Sequence, residues 1–321
     1  MEELFLNLEC GKGTAEGRIA VVGDAILDEY VTGAVKEAAY PVFLPEKRFM
    51  YLGGAGNVAL NIKEMWNPPD LYTVVGEDEN SGRFRSILQA KGLESKFFNV
   101  ERPRSICHKI RYMSQQKVLF RIDNDDTREI ISSTETQLYN KLKYNIEGIK
   151  VLVISNYHKG CLSEGLLKKI KTLCALKKIK VLFDAKKMCD FNGVYLLKMK
   201  AEDFTAITEP NSDMQLSDAM LSFKNTHEIQ NLLITMGQKG AAFFNAENQY
   251  TDLPAVSEGI INSCGAGDSM LSALAVCAAN GISMESALVF SNYAAAVACQ
   301  QDKTYAVSLS DIQECWERSK L

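Results

Sequence analysis

Short apolar runs recur along the chain, and each stops at a glycine or a polar residue. The first, Arg18-Ile-Ala-Val-Val-Gly23, has the continuous apolar pattern of a strand covered on both faces. Similar runs at residues 71–76, 151–154, 180–183, 204–208 and 231–235 predict further buried strands. Between them the pattern changes. A helix is predicted over about 163–176, and a surface helix over 81–92 with Gly92 as its stop. Residues 283–298 and 308–319 also read as helices, whereas 1–17 are weakly patterned and expected at the periphery. Residues 241–244 and 249–253 predict a short antiparallel ribbon. Strands alternating with helices imply an α/β architecture with a largely parallel sheet and right-handed crossovers. No internal repeat or low-complexity linker divides the chain, so a single domain over 1–321 is expected.

Two segments break this rhythm. Residues 29–51 have no helical period and carry Gly33, Pro41 and Pro45, with short strands expected at 42–44 and 49–52 around a turn. Residues 107–113 and 117–123 are alternating runs separated by Ser114-Gln115-Gln116, the signature of a β-hairpin. In the second run Val118, Phe120 and Ile122 share one face, and Leu119, Arg121 and Asp123 the other. A hairpin inserted in an α/β chain suggests a small lid sheet, built from about 29–52 and 104–124. Arg121 or Lys109 is then a candidate phosphate contact. A solvated hairpin face is the competing reading for Lys109 and Arg111.

Open α/β sheets bind ligands beyond the carboxyl ends of their strands. Polar or glycine residues sit there repeatedly: Asp24 and Asp28, Ser155-Asn-Tyr-His-Lys-Gly160, Asp184-Ala-Lys186, Glu209-Pro-Asn211 and Met236-Gly237-Gln-Lys-Gly240. Asp24 and Asp28 either grip the hydroxyls of a polar substrate or are solvated loop acids. Gly53-Gly-Ala-Gly-Asn57 opens a helix on which Asn57 and Asn61 share a face. Later, Gly265-Ala266-Gly267-Asp268 leads into an alanine- and leucine-rich run that ends at Asn280-Gly281. Unpaired N–H groups and the dipole at such a helix start favour an anion, and glycine lets the backbone approach it. The stretch is either a tight turn capped by Asp268 or an anion hole with Asp268 as a general base beside it.

Composition narrows the function classes. A net charge of −4 does not favour nucleic acid as a partner. No run of about 18 apolar residues is present. Met-Glu-Glu-Leu-Phe at the start has neither the basic residues nor the apolar core of a signal peptide. A cytoplasmic protein with no membrane partner is therefore expected. The nine scattered cysteines, without a Cys-x-x-Cys pair, read as reduced thiols, and three histidines far from any such pair argue against zinc.

Gly53-Gly-Ala-Gly-Asn57-Val-Ala and Asn262-Ser-Cys-Gly-Ala-Gly-Asp268, in this order, resemble the paired signatures of ribokinase-like (PfkB-type) carbohydrate kinases, with the resemblance running over about residues 18–312. Gly23-Asp24-Ala-Ile-Leu-Asp28-Glu-Tyr30, the run 114–123, Ser155-Asn-Tyr-His-Lys159-Gly160 and Asp184-Ala-Lys186 resemble its heptose 7-phosphate kinase branch. The resemblance implies a three-layer α/β/α ribokinase-like fold with a mostly parallel central sheet and a small β-sheet lid that often joins a homodimer. It implies transfer of the ATP γ-phosphate to a sugar or sugar-phosphate hydroxyl, with Mg²⁺ arriving on the ATP. Asp268 then matches the catalytic base, and Gly265, Ala266 and Gly267 the anion hole. Asp24, Asp28, Gly53, Gly54 and Asn57 fall on the sugar side, with Arg121, Lys159, Asp184 and Lys186 near the acceptor or its phosphate. Asn211, Thr235, Gly237, Gly240 and Asn292 fall around the nucleotide.

The chain also departs from the family. Asn262 stands where Asp is usual and Cys264 where Thr is usual, in a segment that often helps bind a monovalent cation. Asn262 keeps an oxygen ligand but no charge, so strong K⁺ dependence is not expected. Counted from Asn211, the family's Asn-x-x-Glu ends at Met214, with Asp213 one residue early. Ala185 and Asn156 replace a Pro and an Asp of the heptose branch. Three readings follow: a sugar-phosphate kinase, a kinase for an unphosphorylated sugar or nucleoside, and a kinase-like binding protein without turnover.

Overall fold

Alternation along the buried strands divides the apolar residues between two cores, one on each face of a central sheet. The computed structural model describes every residue except 14–16, 38, 116, 209–213, 257–260 and 321. The chain begins with α1 (Glu2–Gly11) and β1 (Arg18–Gly23), then leaves the main sheet for the long strands β2 (Ala25–Lys36) and β3 (Val42–Gly54). It returns through α2 (Ala55–Met65) and β4 (Asp70–Tyr72). β5 (Val74–Val75), α3 (Glu79–Ala90) and β6 (Asn99–Val100) lead to the hairpin β7 (Cys107–Ser114) and β8 (Lys117–Asn124). Helices and strands then alternate through α4 (Ser132–Tyr144), β9 (Ile149–Asn156), α5 (Glu164–Leu176), β10 (Lys180–Ala185) and β11 (Leu196–Lys200). Next come α6 (Ala201–Thr208), α7 (Leu216–Thr226), β12 (Asn231–Thr235), and the ribbon β13 (Ala241–Phe244) and β14 (Tyr250–Leu253). The chain closes with α8 (Ala266–Ala279), α9 (Met284–Cys299) and α10 (Leu309–Arg318).

Among the described residues the main sheet runs β14-β13-β12-β11-β10-β9-β1-β4, parallel from β12 to β4. On β1, Ile19 and Val21 face a core shared with α1, α2, α8, α9 and α10. Ala20 and Val22 face the other core, shared with α4, α5, α6 and α7. Three layers result, as the strand–helix rhythm implies. A second sheet, β3-β2-β7-β8, stands beside the carboxyl end of β1. No helix among the described residues is long and apolar enough to cross a membrane.

Several expectations change. Residues 1–17 are more than peripheral: α1 buries Leu4, Phe5 and Leu8, and Phe5 meets the rings of Phe290 and Trp316 at 5.8 and 5.5 Å. The runs at 42–44 and 49–52 are one strand. β3 passes through Pro45 because it is an edge strand, with Pro45 opposite Gly33 at a bulge after Thr32. Residues 71–76 divide at Thr73, whose hydroxyl donates to the Gly23 carbonyl (2.7 Å), and β5 pairs with β6 instead of β1. Residues 204–208 are helical. The strand there is β11, and α6 follows with Glu202 and Asp203 in its first turn, where the helix dipole favours acids. Lys198, buried in the middle of β11, breaks the apolar run that would have announced the strand.

Phe5→Ala tests the packing of α1. It is expected to lower the unfolding free energy by about 3–5 kcal/mol in a urea titration. A loss below about 1 kcal/mol would show that the helix adds little to the core.

Candidate active site

Gly265 sets the geometry at the start of α8. Its φ of 84° is left-handed, which favours glycine, and a Cβ there would press on Asn57 Nδ2 at 3.0 Å. The N–H groups of Gly267 and Asp268 enter the helix without intrahelical acceptors. Asp268 is buried; its Oδ2 accepts from Asn57 Nδ2 (2.8 Å) and its Oδ1 from the Tyr157 hydroxyl (2.7 Å). Side chains of other elements hold both oxygens, so the simple helix-cap reading does not describe this residue. Burial, with a further push from Asp184, raises its pKa above the ordinary carboxylate value, against Asn57, Tyr157 and Lys186. Tyr157 is kept protonated, its own pKa pushed well up by burial and by the carboxylates of Asp268 and Asp184. Asn61 fixes Asn57, donating to its carbonyl and Oδ1 at 2.9 and 3.1 Å, and accepts from Ser269 Oγ at 2.9 Å. The two asparagines of α2 thus fasten the start of α8.

A cavity of about 540 Å³ opens on Asp268. Gly54, Asn57, Gly265 and Gly267 line the end nearest it, and Asp28, Arg121, Lys159, Asp184, Lys186 and Asn262 line the remainder. Arg111 is there too. Far from being a solvated hairpin residue, it donates to Asp28 Oδ1 at 2.6 Å and lies 5.1 Å from the centre of the Tyr30 ring. Lys109 bonds Asp123 at 2.9 Å, Arg121 Nε lies 2.7 Å from Asp123, and Lys159 pairs with Asp125. Asp184 is buried between Lys198 (3.0 Å) and Lys186 (4.0 Å). Burial opposes its ionisation, yet the two lysines hold its carboxyl below the ordinary value. Lys186 also sits over the Tyr157 ring at 4.6 Å.

Asp24 and Gly53 are not part of this lining. The Asp24 carboxylate turns to the loop after β9, accepting the N–H groups of Tyr157 (2.8 Å), Lys159 (3.2 Å) and Cys161 (3.0 Å). Burial pushes its pKa up despite those bonds. Asp24 therefore holds the backbone that carries Tyr157 and Lys159, and is neither a substrate grip nor a solvated acid. Gly53 leaves room for Asp28, whose Oδ2 would lie 2.4 Å from a Cβ at that position. Asn262 Oδ1 accepts the Cys264 N–H (3.0 Å) and its Nδ2 donates to the Asp302 carbonyl (3.3 Å), which braces the turn. Among the described residues no three His, Cys, Asp or Glu side chains are grouped to hold a metal ion.

A second cavity, of about 250 Å³, meets the first at Lys200, Ser263 and Gly267. Thr235, Gly237, Gly240, Ala266 and Asn292 line it. Asn292 Nδ2 donates to the Pro254 carbonyl at 2.8 Å. Asn211 lies outside the described residues. Because the strand here is β11, the carboxyl end that Asn211 was expected to mark falls at Lys200-Ala-Glu-Asp203 instead. Lys200 and Asp203 carry the spacing of the expected Asn-x-x-Glu. Asp203 lines the first cavity, and its Oδ2 is buried without a hydrogen-bond partner. Sequence reasoning missed Tyr157, Lys198, Lys200 and Asp203. The available signal was a lysine alternating with apolar residues in Leu196-Leu-Lys-Met-Lys200, a charge that a buried strand carries only with a partner.

A buried carboxylate at a glycine-opened helix start, between two joined cavities on the carboxyl edge of a parallel sheet, is an arrangement suited to phosphoryl transfer on an α/β/α fold. The chain belongs to the pfkB family of carbohydrate kinases, whose pattern matches residues 17–311, and so is by class an ATP-dependent sugar kinase. It is 30% identical over 311 residues to the bifunctional protein HldE of Pseudomonas entomophila, covering 94% of this chain and 64% of that protein. Its identity to HldE of Sulfurimonas denitrificans is 28% over 305 residues, covering 92% and 64%. The chain thus spans less than two thirds of the length of these relatives. Phosphofructokinase-2 from Escherichia coli in complex with fructose-6-phosphate has a TM-score of 0.77 at 16% identity, covering 95% of this chain and 99% of that one. Arabidopsis thaliana ribokinase complexed with ribose and ATP has a TM-score of 0.71 at 16% identity, with 95% and 99% covered. At these identities the two structures speak for the ribokinase-like fold alone.

Asp24→Ala leaves one buried and two part-buried N–H groups without an acceptor, and a fully buried one costs about 1–3 kcal/mol. Thermal unfolding should show a clear loss of stability, with nucleotide affinity kept. Unchanged stability would remove Asp24 from its place as the anchor of this loop.

Proposed function

We propose that the protein transfers the γ-phosphate of ATP to a hydroxyl of a sugar phosphate, with D-glycero-D-manno-heptose 7-phosphate as the first acceptor to test. The observation that carries this reading is the larger cavity, with the base Asp268 at one end and Arg111, Arg121, Lys159 and Lys186 along its wall. A phosphate on the acceptor suits such a wall. The likeness of Ser155-Asn-Tyr-His-Lys159-Gly160 and Asp184-Ala-Lys186 to the heptose branch supports the choice of sugar.

In this mechanism Asp268 takes the proton of the acceptor hydroxyl as its oxygen attacks the γ-phosphorus. The bond from that phosphorus to the β,γ-bridging oxygen breaks, and ADP departs from the second cavity, between Thr235, Gly237, Gly240 and Asn292. The N–H groups of Gly267 and Asp268 face the phosphoryl oxygens in flight. Little covalent work is asked of the protein beyond positioning and charge neutralisation. Mg²⁺ carried by ATP would supply further neutralising charge on the phosphates. Asp203, with its unpartnered buried oxygen, is fitted to hold it through water. Asn262 brings no charge and its oxygen is already used by Cys264, so our reading includes no monovalent cation.

An unphosphorylated sugar or nucleoside is the second reading, favoured by the pairing of Arg111 with Asp28 and of Lys159 with Asp125. A protein without turnover loses the support that Met214 lent it: Met214 is exposed, and Asp203 supplies an acid at the strand end. The same proposal treats the chain as one kinase domain whose second sheet is the lid. It works in the cytoplasm as a homodimer, joined through the exposed apolar residues Val118, Phe120 and Ile122 of β8.

ADP release with a panel of sugars and sugar phosphates tests the acceptor. Turnover only with unphosphorylated sugars would favour the second reading, and none with any acceptor would sink both. Asp268→Asn should cost roughly 10²–10⁴-fold in kcat with the fold intact, the range for general base catalysis. Near-normal transfer by that variant would remove the residue from its role. The acidic limb of kcat/KM should lie above the ordinary aspartate value of about 3.9, because Asp268 is protonated and idle below its raised pKa. Tyr157→Phe should move that limb higher still, since the hydroxyl bond lowers the Asp268 pKa. A limb that falls or stays still in the variant would contradict the assignment.

A further inference from the structure

Strands β10 and β11 bring lysines to the seam between the two cavities. Asp184 and Lys198 are cross-strand partners, and Lys198, 1% exposed, bonds the Asp184 carboxylate at 3.0 Å. Lys186 stands 4.0 Å from the other oxygen of that carboxylate. Lys200 shares the strand face of Lys198. It lines both cavities, and its ammonium makes no hydrogen bond or ion pair among the described residues. Lys198 also reaches the glycine turn: a Cβ on Gly267 would lie 3.1 Å from its Nζ. An ammonium and the positive end of α8 therefore converge on one place, and like charges repel there. Asp184 faces two lysines with one carboxylate. Of the other acids at the seam, Asp268 is bonded to Asn57 and Tyr157, Asp203 feels the charges of Lys186 and Lys200 without a hydrogen bond to its buried Oδ2, and Glu202 lines the smaller cavity. Lys200 and the N–H groups at the start of α8 thus lie at the seam without a bonded acceptor among the described residues, donors suited to an anion between the turn and β11.

We propose that Lys198 and Lys200 bind the transferring phosphoryl group of the nucleotide, closing on it from β11 opposite the N–H groups of the glycine turn. This deepens the kinase reading and rests on it. The bonds formed and broken are those of the phosphoryl transfer given above; the lysines move no proton and supply fixed positive charge where negative charge gathers. Lys200 takes the first place of the Lys200/Asp203 pair, so a cation stands where the resemblance led one to expect a neutral amide. A flexible lysine is suited to follow a phosphoryl group that moves between donor and acceptor.

The test compares the affinities of a non-hydrolysable ATP analogue and of ADP by calorimetry, alongside turnover. Wild-type protein should prefer the analogue. Lys200→Met, on an exposed position, should fold, bind ADP as before and lose roughly 10–100-fold of that preference, the worth of a charge-assisted contact. Its kcat should fall by roughly 10²-fold with the acceptor KM little changed. A Lys200→Met protein that keeps both the preference and kcat within about threefold would overturn the proposal. Lys198→Met leaves Asp184 buried with one fewer partner. It is therefore paired with Asp184→Asn in a double variant, which should also lose the preference; retained preference there would remove Lys198. Turnover by the wild type with no preference for the analogue would overturn the proposal and leave the kinase reading standing. Absence of both nucleotide binding and turnover would overturn the two together.

Discussion

Asp24 is the joint on which the site hangs. Its carboxylate holds the loop after β9 through the N–H groups of Tyr157, Lys159 and Cys161, and its main-chain carbonyl accepts the N–H of Ala55 at the start of α2. Tyr157 and Asn57, carried by those two segments, are the side chains that hold Asp268. One buried acid at the end of β1 therefore places both partners of Asp268, from segments far apart in sequence. The same residue lies where the chain leaves the main sheet for β2, so the second sheet starts from that joint as well. A buried carboxylate is costly unless its lone pairs are met, and the three N–H groups meet them.

Asp268, the proposed base, depends on the same low-dielectric setting that makes it costly. Burial raises the proton affinity of Asp268, while Asn57 and Tyr157 pull the other way and keep the carboxyl aimed. Asp184 shows the opposite balance: Lys198 and Lys186 outweigh burial and keep it ionised. Two aspartates on one cavity are thus driven apart in character by their neighbours, one towards taking a proton and one towards a fixed negative charge. Tyr157 links the two, hydrogen-bonded to Asp268 and covered by the ammonium of Lys186.

Most strands, the hairpin and the glycine-opened helices were legible because each follows from a local rule of period, turn or cap. Asp24 was not legible. It looked like an acid on a substrate edge, and its partners lie 133 to 137 positions away, beyond any local pattern. Arg111 read as a solvated hairpin residue for the same reason, since Asp28 is 83 positions away. β11 was misplaced because Lys198 interrupts its apolar run, and only the cross-strand Asp184 makes that lysine tolerable in the core. The displaced strand end then carried the expected Asn-x-x-Glu spacing to the wrong residues. The failures concentrate where charge is buried and paired at a distance, and there local consistency gives way to function.

Charge is distributed unevenly along the larger cavity, and this bears on what selects the acceptor. At the end beside the second sheet each lining cation has an acid: Arg111 with Asp28, Arg121 with Asp123, Lys109 with Asp123, Lys159 with Asp125. That end is balanced without a ligand, so a phosphate arriving there must displace a carboxylate or share its cation. At the seam Lys200 has no bonded acid among the described residues, and the helix start adds unpaired N–H groups. In the proposed reaction that unpaired cation lies where the phosphoryl group would be exchanged, whereas the cations at the acceptor end are already paired. Under the proposed function, choice among acceptors would rest on the fit of hydroxyls to Asp28, Asn57 and Asp268, and on whether an acceptor phosphate gains more from Lys159 and Arg121 than Asp125 and Asp123 lose. Such exchanges of partner discriminate well, because a ligand that breaks an ion pair without replacing it leaves a partly buried charge alone.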